Sequence, residues 1–271
     1  PQWPMAVSNR AMAYIAGSLR FRSCRTGLSV LEHIENMSPR PASLAPFGQA
    51  TDFGAFLAQM AAAPLHELGP ATPGAEPAAL GFALGLAASW AGQAGLIWAG
   101  EEGVFAEEGA PYPVGLAQFG LDPDTLIVVR ASKRDEALWA AEQGLSATGA
   151  VVICPLAPRA KPLELKATRR LLLFAERNRS RCILVRPLDE TSAAWTRWRV
   201  APAPSGAEQR ELGAPAFRID LVRNRAGPAG ARFTLEWNAH ARRFDELAVD
   251  LSAAPQHRPA AGPARGRPVG F

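Results

Sequence analysis

Residues 69–77, Gly-Pro-Ala-Thr-Pro-Gly-Ala-Glu-Pro, carry the spacing of a phosphate-binding loop without its chemistry. A working GxxxxGK[ST] loop cradles phosphates with backbone N–H groups, sets a Lys on them and holds magnesium with Ser or Thr. Gly69 and Gly74 match the two glycines, with Thr72 between them. Ala75 stands where the Lys belongs and Glu76 where the Ser or Thr belongs. A carboxylate there repels phosphate, and the three lysines of the chain, 133, 161 and 166, lie far along the sequence. Two glycines five apart also mark an ordinary surface turn.

Three other sets invite a chemical reading. Glu101 and Glu102 follow an apolar run and could polarise a water as a general base does, or simply form a solvated acidic turn. Cys154 closes another apolar run where a metal-side acid would be wanted. The third set is basic: Arg169, Arg170, Arg186, Arg197, Arg199, Arg218, Arg223 and Arg225. In Thr196-Arg-Trp-Arg-Val200 the Trp–Arg interleaving suits base stacking and phosphate contact, or equally an edge strand protected by charge. Four dispersed His and no CxxC argue against a metal site. No GxSxG or Cys–His arrangement is present.

The elements that must position these residues follow from periodicity. A strand is expected at Leu65–Leu68 and a helix at about Ala78–Ala91, apolar all round and therefore buried on more than one side. Leu80, Ala83, Leu84, Ala87 and Trp90 form its expected main face, and Gly81 and Gly85 suggest close helix–sheet packing. Further strands are expected at Leu96–Ala99, Leu126–Arg130, Ala150–Cys154 and Arg181–Arg186. Helices should open at an N-capping Ser132 and at Pro162, with Val114–Phe119 also helical. Leu126–Arg130 reads as a strand covered on both faces. This alternation specifies an α/β fold with a mostly parallel sheet. The alternating segments Trp195–Ala201, Phe217–Asn224 and Arg232–Trp237 should close one edge as antiparallel strands, with order fading after Phe244.

Of the 271 residues, 48% are hydrophobic, enough for one large core. The expected division is an N-terminal arm and linker over 1–54, with a short helix at Leu28–Met37, a core over 55–250 and a disordered basic tail over 251–271. Residues 1–26 and 252–271 together hold seven Arg and no acid, so a chain of net charge +4 leaves 27–251 net acidic. Basic ends suit weak contact with nucleic acid or an acidic partner, or act as solubilising tails. Cys154 and Cys182 in apolar runs fit a reducing compartment, and no secretory signal is evident in the first residues. Residues 77–100 lack charge, but a change of period midway reads as helix then strand rather than a membrane span.

The order of these parts resembles the RecA core, and the residues most closely resemble the ImuA family. The matching stretches are HELGPATPG, ALGFALGLAASWAG, FGLDPDTLIVVRASKRDEALWAAEQGL, ATRRLLLFAERNRSRCILVRP, SAAWTRWRVAPAPS and FRIDLVRNRAGPAGARFTLEWNAHARRF, spanning roughly residues 65–245. The resemblance implies a RecA-like three-layer core with antiparallel strands at the C-terminal edge. In it Gly69 to Glu76 take the position of the phosphate loop, Glu101 that of the catalytic glutamate and Cys154 that of the magnesium-side aspartate. Only Glu101 keeps the RecA-type residue. The implied protein is a non-catalytic adaptor of SOS-induced translesion synthesis, cytoplasmic and nucleoid-associated, without cofactor or metal. Its implied partners are an ImuB-like polymerase homologue, RecA and an error-prone polymerase alpha-type subunit. Single-stranded DNA is the expected ligand of Arg169, Arg170, Arg197, Arg199, Arg223 and Arg225. The rival expectations are a divergent DNA-dependent ATPase using Glu101 and a cell-division inhibitor of the SulA type.

Overall fold

The computed structural model describes residues 53–90, 95–158, 162–188, 191–206 and 213–247. Expectations for the helix at 28–37 and for both basic ends lie outside the described residues. The elements run α1 (Phe53–Met60), β1 (Leu65–Pro70), α2 (Glu76–Trp90), β2 (Leu96–Glu101), α3 (Glu102–Glu108), α4 (Pro113–Gln118), β3 (Leu126–Ala131), α5 (Arg134–Leu145), β4 (Val151–Pro155), α6 (Leu165–Asn178), β5 (Arg181–Val185), β6 (Thr196–Pro202), β7 (Ala216–Asn224), β8 (Arg232–Asn238) and β9 (Arg243–Glu246). One sheet holds them in the order β3-β2-β4-β5-β1-β6-β7-β8-β9. The sheet is mostly parallel with an antiparallel C-terminal edge and carries helices on both faces, the three-layer α/β arrangement expected from the sequence.

Three strand expectations need correction. β6 pairs with β1 in parallel and only then with β7 antiparallel, so it is an interior strand and not a charged edge. The antiparallel edge is β7, β8 and an additional β9, built from Arg243–Glu246 where order was expected to fade. β3 is the opposite edge, and Val128 is exposed there rather than covered on both faces.

Side-chain alternation splits the core between two faces. On one, α1 and α2 pack on Leu68, Ile153, Ile183, Trp198, Ile219, Trp237 and Phe244. On the other, α5 and α6 pack on Leu65, Ala99, Val152, Cys154, Cys182 and Leu184. The buried side of α2 is Ala79, Phe82, Ala83, Leu86 and Ala87, while Leu80, Leu84 and Trp90 are only half-buried. A helix apolar all round has no stripe to read, so its orientation is set by what it meets. A Cβ on Gly85 would sit 2.2 Å from the Phe244 ring, and one on Gly81 3.2 Å from Phe217. The GxxxG is therefore a close-packing device against β7 and β9. Ser132 does not cap α5; the cap position is Lys133, and the Ser132 N–H donates to Glu136 Oε2 (3.1 Å). Among the described residues, no helix is long and apolar enough to cross a membrane.

His66, buried on β1, ties the α1 side to β6. Its Nε2–H donates to the Ala63 carbonyl (3.1 Å) and its Nδ1 accepts from the Thr196 hydroxyl (2.8 Å). The Thr196 oxygen accepts in turn from the Trp198 indole N–H (2.9 Å), and the Trp90 ring lies 4.7 Å from the imidazole. Burial drives the His66 pKa down from 6.5 to about 3.

Two outcomes follow. The unfolded chain protonates His66 near pH 6.5 and the folded chain only near 3, so the neutral-state stability is lost as pH falls through that window. The expected slope is about 1.4 kcal/mol per pH unit. Denaturant unfolding between pH 6 and 4 should show it in the wild type and a flatter curve in His66→Gln; equal slopes would contradict it. Separately, Gly85→Val should cost about 1–3 kcal/mol by overpacking Phe244, outweighing the helix-propensity gain. Gly81→Ala should cost less in the same measurement.

Candidate functional site

The sequence leads to the loop between β1 and α2. Its first glycine has a packing role: a Cβ on Gly69 would lie 2.7 Å from the Arg186 carbonyl and 2.6 Å from Leu188. Gly74 supplies a left-handed turn (φ 87°) with open space around its Cα. Two loop N–H groups are already used: Ala71 N–H donates to Val200 O (2.8 Å) and Ala75 N–H to Thr72 O (3.1 Å). Thr72 is exposed, Ala75 is buried, and Glu76 is half-buried as the first residue of α2.

Beside Glu76 lies a small cleft of about 90 Å³, lined among others by Leu80, Glu107, Glu108, Pro155 and Arg186. Pockets that hold drug-sized ligands run to about 300–1,000 Å³. The Glu108 pKa is pushed up, chiefly by partial burial and then by the charges of Glu76 and Glu107. Three carboxylates thus line the cleft beside the β1–α2 loop. A larger groove of about 750 Å³ lies elsewhere, between α5 and α6 around the exposed Trp139.

Glu101 ends β2 and is buried. It shares a face with Ala99 and Ala131, which belong to the α5–α6 side of the core. Its Oε1 accepts from the Ala157 N–H (3.1 Å) and from Arg134 Nε (3.3 Å). Arg134 Nη2 also donates to the Ala157 carbonyl (2.6 Å), so one guanidinium joins β2 to the segment after β4. Glu102 instead reaches out to Arg130 of β3 in an exposed pair at 2.5 Å. Cys154 is fully buried, and burial plus the nearby Glu101 charge pushes its thiol up to about 12. Among the described residues, no cluster of His, Cys, Asp or Glu is arranged to hold a metal ion.

The expected Arg set is not one surface. Arg197 is largely buried and donates from Nε to Glu67 Oε2 at 2.5 Å. Trp198, its neighbour, points to the α2 face and is buried, so the interleaved segment cannot stack bases through it. Arg170 pairs with Glu142 (2.6 Å), and Arg169 is exposed on α6. Arg199, Arg223 and Arg225 are exposed on and just beyond β6 and β7.

The residue that sequence reasoning missed is Glu67, one turn of strand before the loop. It is fully buried and accepts from both Arg197 and Arg186 Nε (2.7 Å), itself buried. An acid inside Leu65-His-Glu-Leu68 was the available signal.

No protein-family model matches the chain. Protein ImuA from two strains of Caulobacter vibrioides is 35% identical over 130 residues, covering 43% of this chain and 52% of each relative. Over that stretch the chain is similar to these ImuA proteins. The chain spans about half the length of these curated relatives. Among solved structures, a RadB recombinase crystal structure overlays with a TM-score of 0.47 at 16% identity, covering 69% of this chain and 92% of that one.

Removing one partner of a buried charge group leaves the others uncompensated, at about 3–5 kcal/mol. Glu67→Ala should therefore destabilise the fold by about that amount in denaturant unfolding. Arg197→Ala should cost less, because Glu67 keeps Arg186, yet more than Arg199→Ala, which should change stability by under about 0.5 kcal/mol. Equal effects at the two arginines would contradict the assignment.

Proposed function

We propose that this chain is a non-catalytic RecA-like adaptor in DNA-damage-induced mutagenesis, acting in translesion synthesis beside an ImuB-like polymerase homologue, RecA and an error-prone polymerase alpha-type subunit. The observation that carries the reading is the state of the phosphate-loop position. Lys is replaced by Ala75, the loop N–H groups of Ala71 and Ala75 are spent on protein carbonyls, and Glu76, Glu107 and Glu108 crowd the adjoining cleft. The likeness to Protein ImuA supports the choice of pathway. The fold, freed of phosphate chemistry, serves as a platform whose outer surfaces meet partners, in the cytoplasm and at the nucleoid.

The ATPase alternative is disfavoured by geometry. A general base must reach the water it activates, and the Glu101 carboxylate is buried and engaged by Arg134 and the Ala157 N–H on the α5–α6 side of the sheet.

A strain lacking the gene should lose damage-induced mutation while keeping its spontaneous frequency, and a plasmid copy should restore it. Induced mutation at the wild-type level in the deletion strain would remove the assignment to this pathway.

A further inference from the structure

The α5–α6 layer covers the sheet as far as β1. Beyond it, the same face of β6–β9 presents exposed arginines at Arg199, Arg218, Arg223, Arg232 and Arg243. We propose that the part of this open face formed by β6 and β7 binds the backbone of single-stranded nucleic acid. The proposal rests on the reading that the chain works at damaged DNA, and it names the surface that would touch it.

Register sets the pattern. Arg218 lies opposite Ala201, Arg199 opposite Asp220, and Arg223 opposite Arg197, with a bulge at the third step. Residues directly opposite share a face, so the free cations zigzag from β7 to β6 and back to β7, one for every two residues of strand. Arg225 continues the line just past β7. Two residues of strand advance about 6.7 Å, which gives a stripe about 20 Å long.

The cations are available, and the nearby acids are not. Among the described residues, neither Arg199 nor Arg218 has an acidic partner. Arg223 Nη1 donates to the Ser192 carbonyl (3.0 Å) and Arg225 Nη1 to that of Ala193 (3.3 Å), with the Arg225 guanidinium over the Trp195 ring. These tethers hold each fork in place while leaving most of its five N–H donors free. Asp220 is taken by Arg232 (3.5 Å), Asp245 by Arg243 (2.8 Å), and Glu236 accepts from Gly206 N–H (2.8 Å). Arg197 is engaged by Glu67, which it shares with Arg186, and sits beneath the line.

The shape of the charge selects the ligand. Protein interfaces need apolar anchors that bury fully, and the large hydrophobic exposed on β7 is Val222 alone among the described residues. A regular single-file row of guanidiniums suits a chain of phosphates instead.

The test is fluorescence anisotropy of a short labelled oligothymidylate with the full chain across about 50–200 mM salt. Arg199→Ala, Arg218→Ala and Arg223→Ala combined should flatten the log–log salt slope by about 2, at about 0.7 per lost phosphate contact. Affinity at physiological salt should fall about 10- to 50-fold by the same relation. The triple Arg→Lys variant should keep the slope, and matched thermal melts confirm that the fold is intact. An unchanged slope in the Ala variant, no binding by the wild type, tighter binding of duplex than of single strands, or competition by polyglutamate equal to that by oligothymidylate would each overturn the proposal. Any of these would leave the mutagenesis reading standing, because that is decided by the deletion strain.

Discussion

A buried carboxylate at the centre of the sheet is the constraint on which the rest of this structure depends. Glu67 lies on β1, between β5 and β6, and is shared by Arg186 at the end of β5 and Arg197 within β6. Removing three charges from water is expensive, and only mutual pairing in good geometry offsets it. That requirement pins the last parallel crossover, because β6 must enter beside β1 in the register that sets Arg197 against Glu67. It also holds the chain after β5 across β1, where the Arg186 carbonyl and Leu188 approach Gly69 so closely that no side chain fits. The glycine that looks like half of a phosphate loop is required by this crossing.

The charge pattern of the site is inverted relative to what a nucleotide needs. Carboxylates gather at the loop and the adjoining cleft, the glutamate that ends β2 is fastened to Arg134 and Ala157, and Cys154 on β4 is a buried thiol. The free cations stand on β6 and β7, on the α5–α6 face of the sheet but beyond the edge of that helical layer. The scaffold thus keeps the strand–loop–helix outline while its electrostatics have moved elsewhere.

Much of the fold was legible because β-branched runs and helical stripes alternate clearly from Leu65 to Val185. What failed to show has physical reasons. Alternation in β6 says that one face is buried, but not whether its neighbours run parallel. α2 is apolar all round, so only the rings of Phe217 and Phe244 decide which side faces in. The loop's lack of Lys was readable from the sequence, but the crowding by Glu107 and Glu108 was not, since it depends on where α3 packs. The arginines were hardest. Arg197 and Arg199 are two residues apart on one strand face, yet one is consumed by Glu67, 130 positions earlier, and the other is exposed. Sequence spacing cannot separate them because the deciding partner is non-local.

The central claim is that the β1–α2 loop is scaffold and not a nucleotide site. Equilibrium titration of the full chain with a fluorescent ATP analogue and magnesium, with and without single-stranded DNA, tests it most directly. The account predicts no saturable binding up to millimolar analogue and no phosphate release. Saturable binding accompanied by turnover that Glu101→Gln abolishes would contradict it.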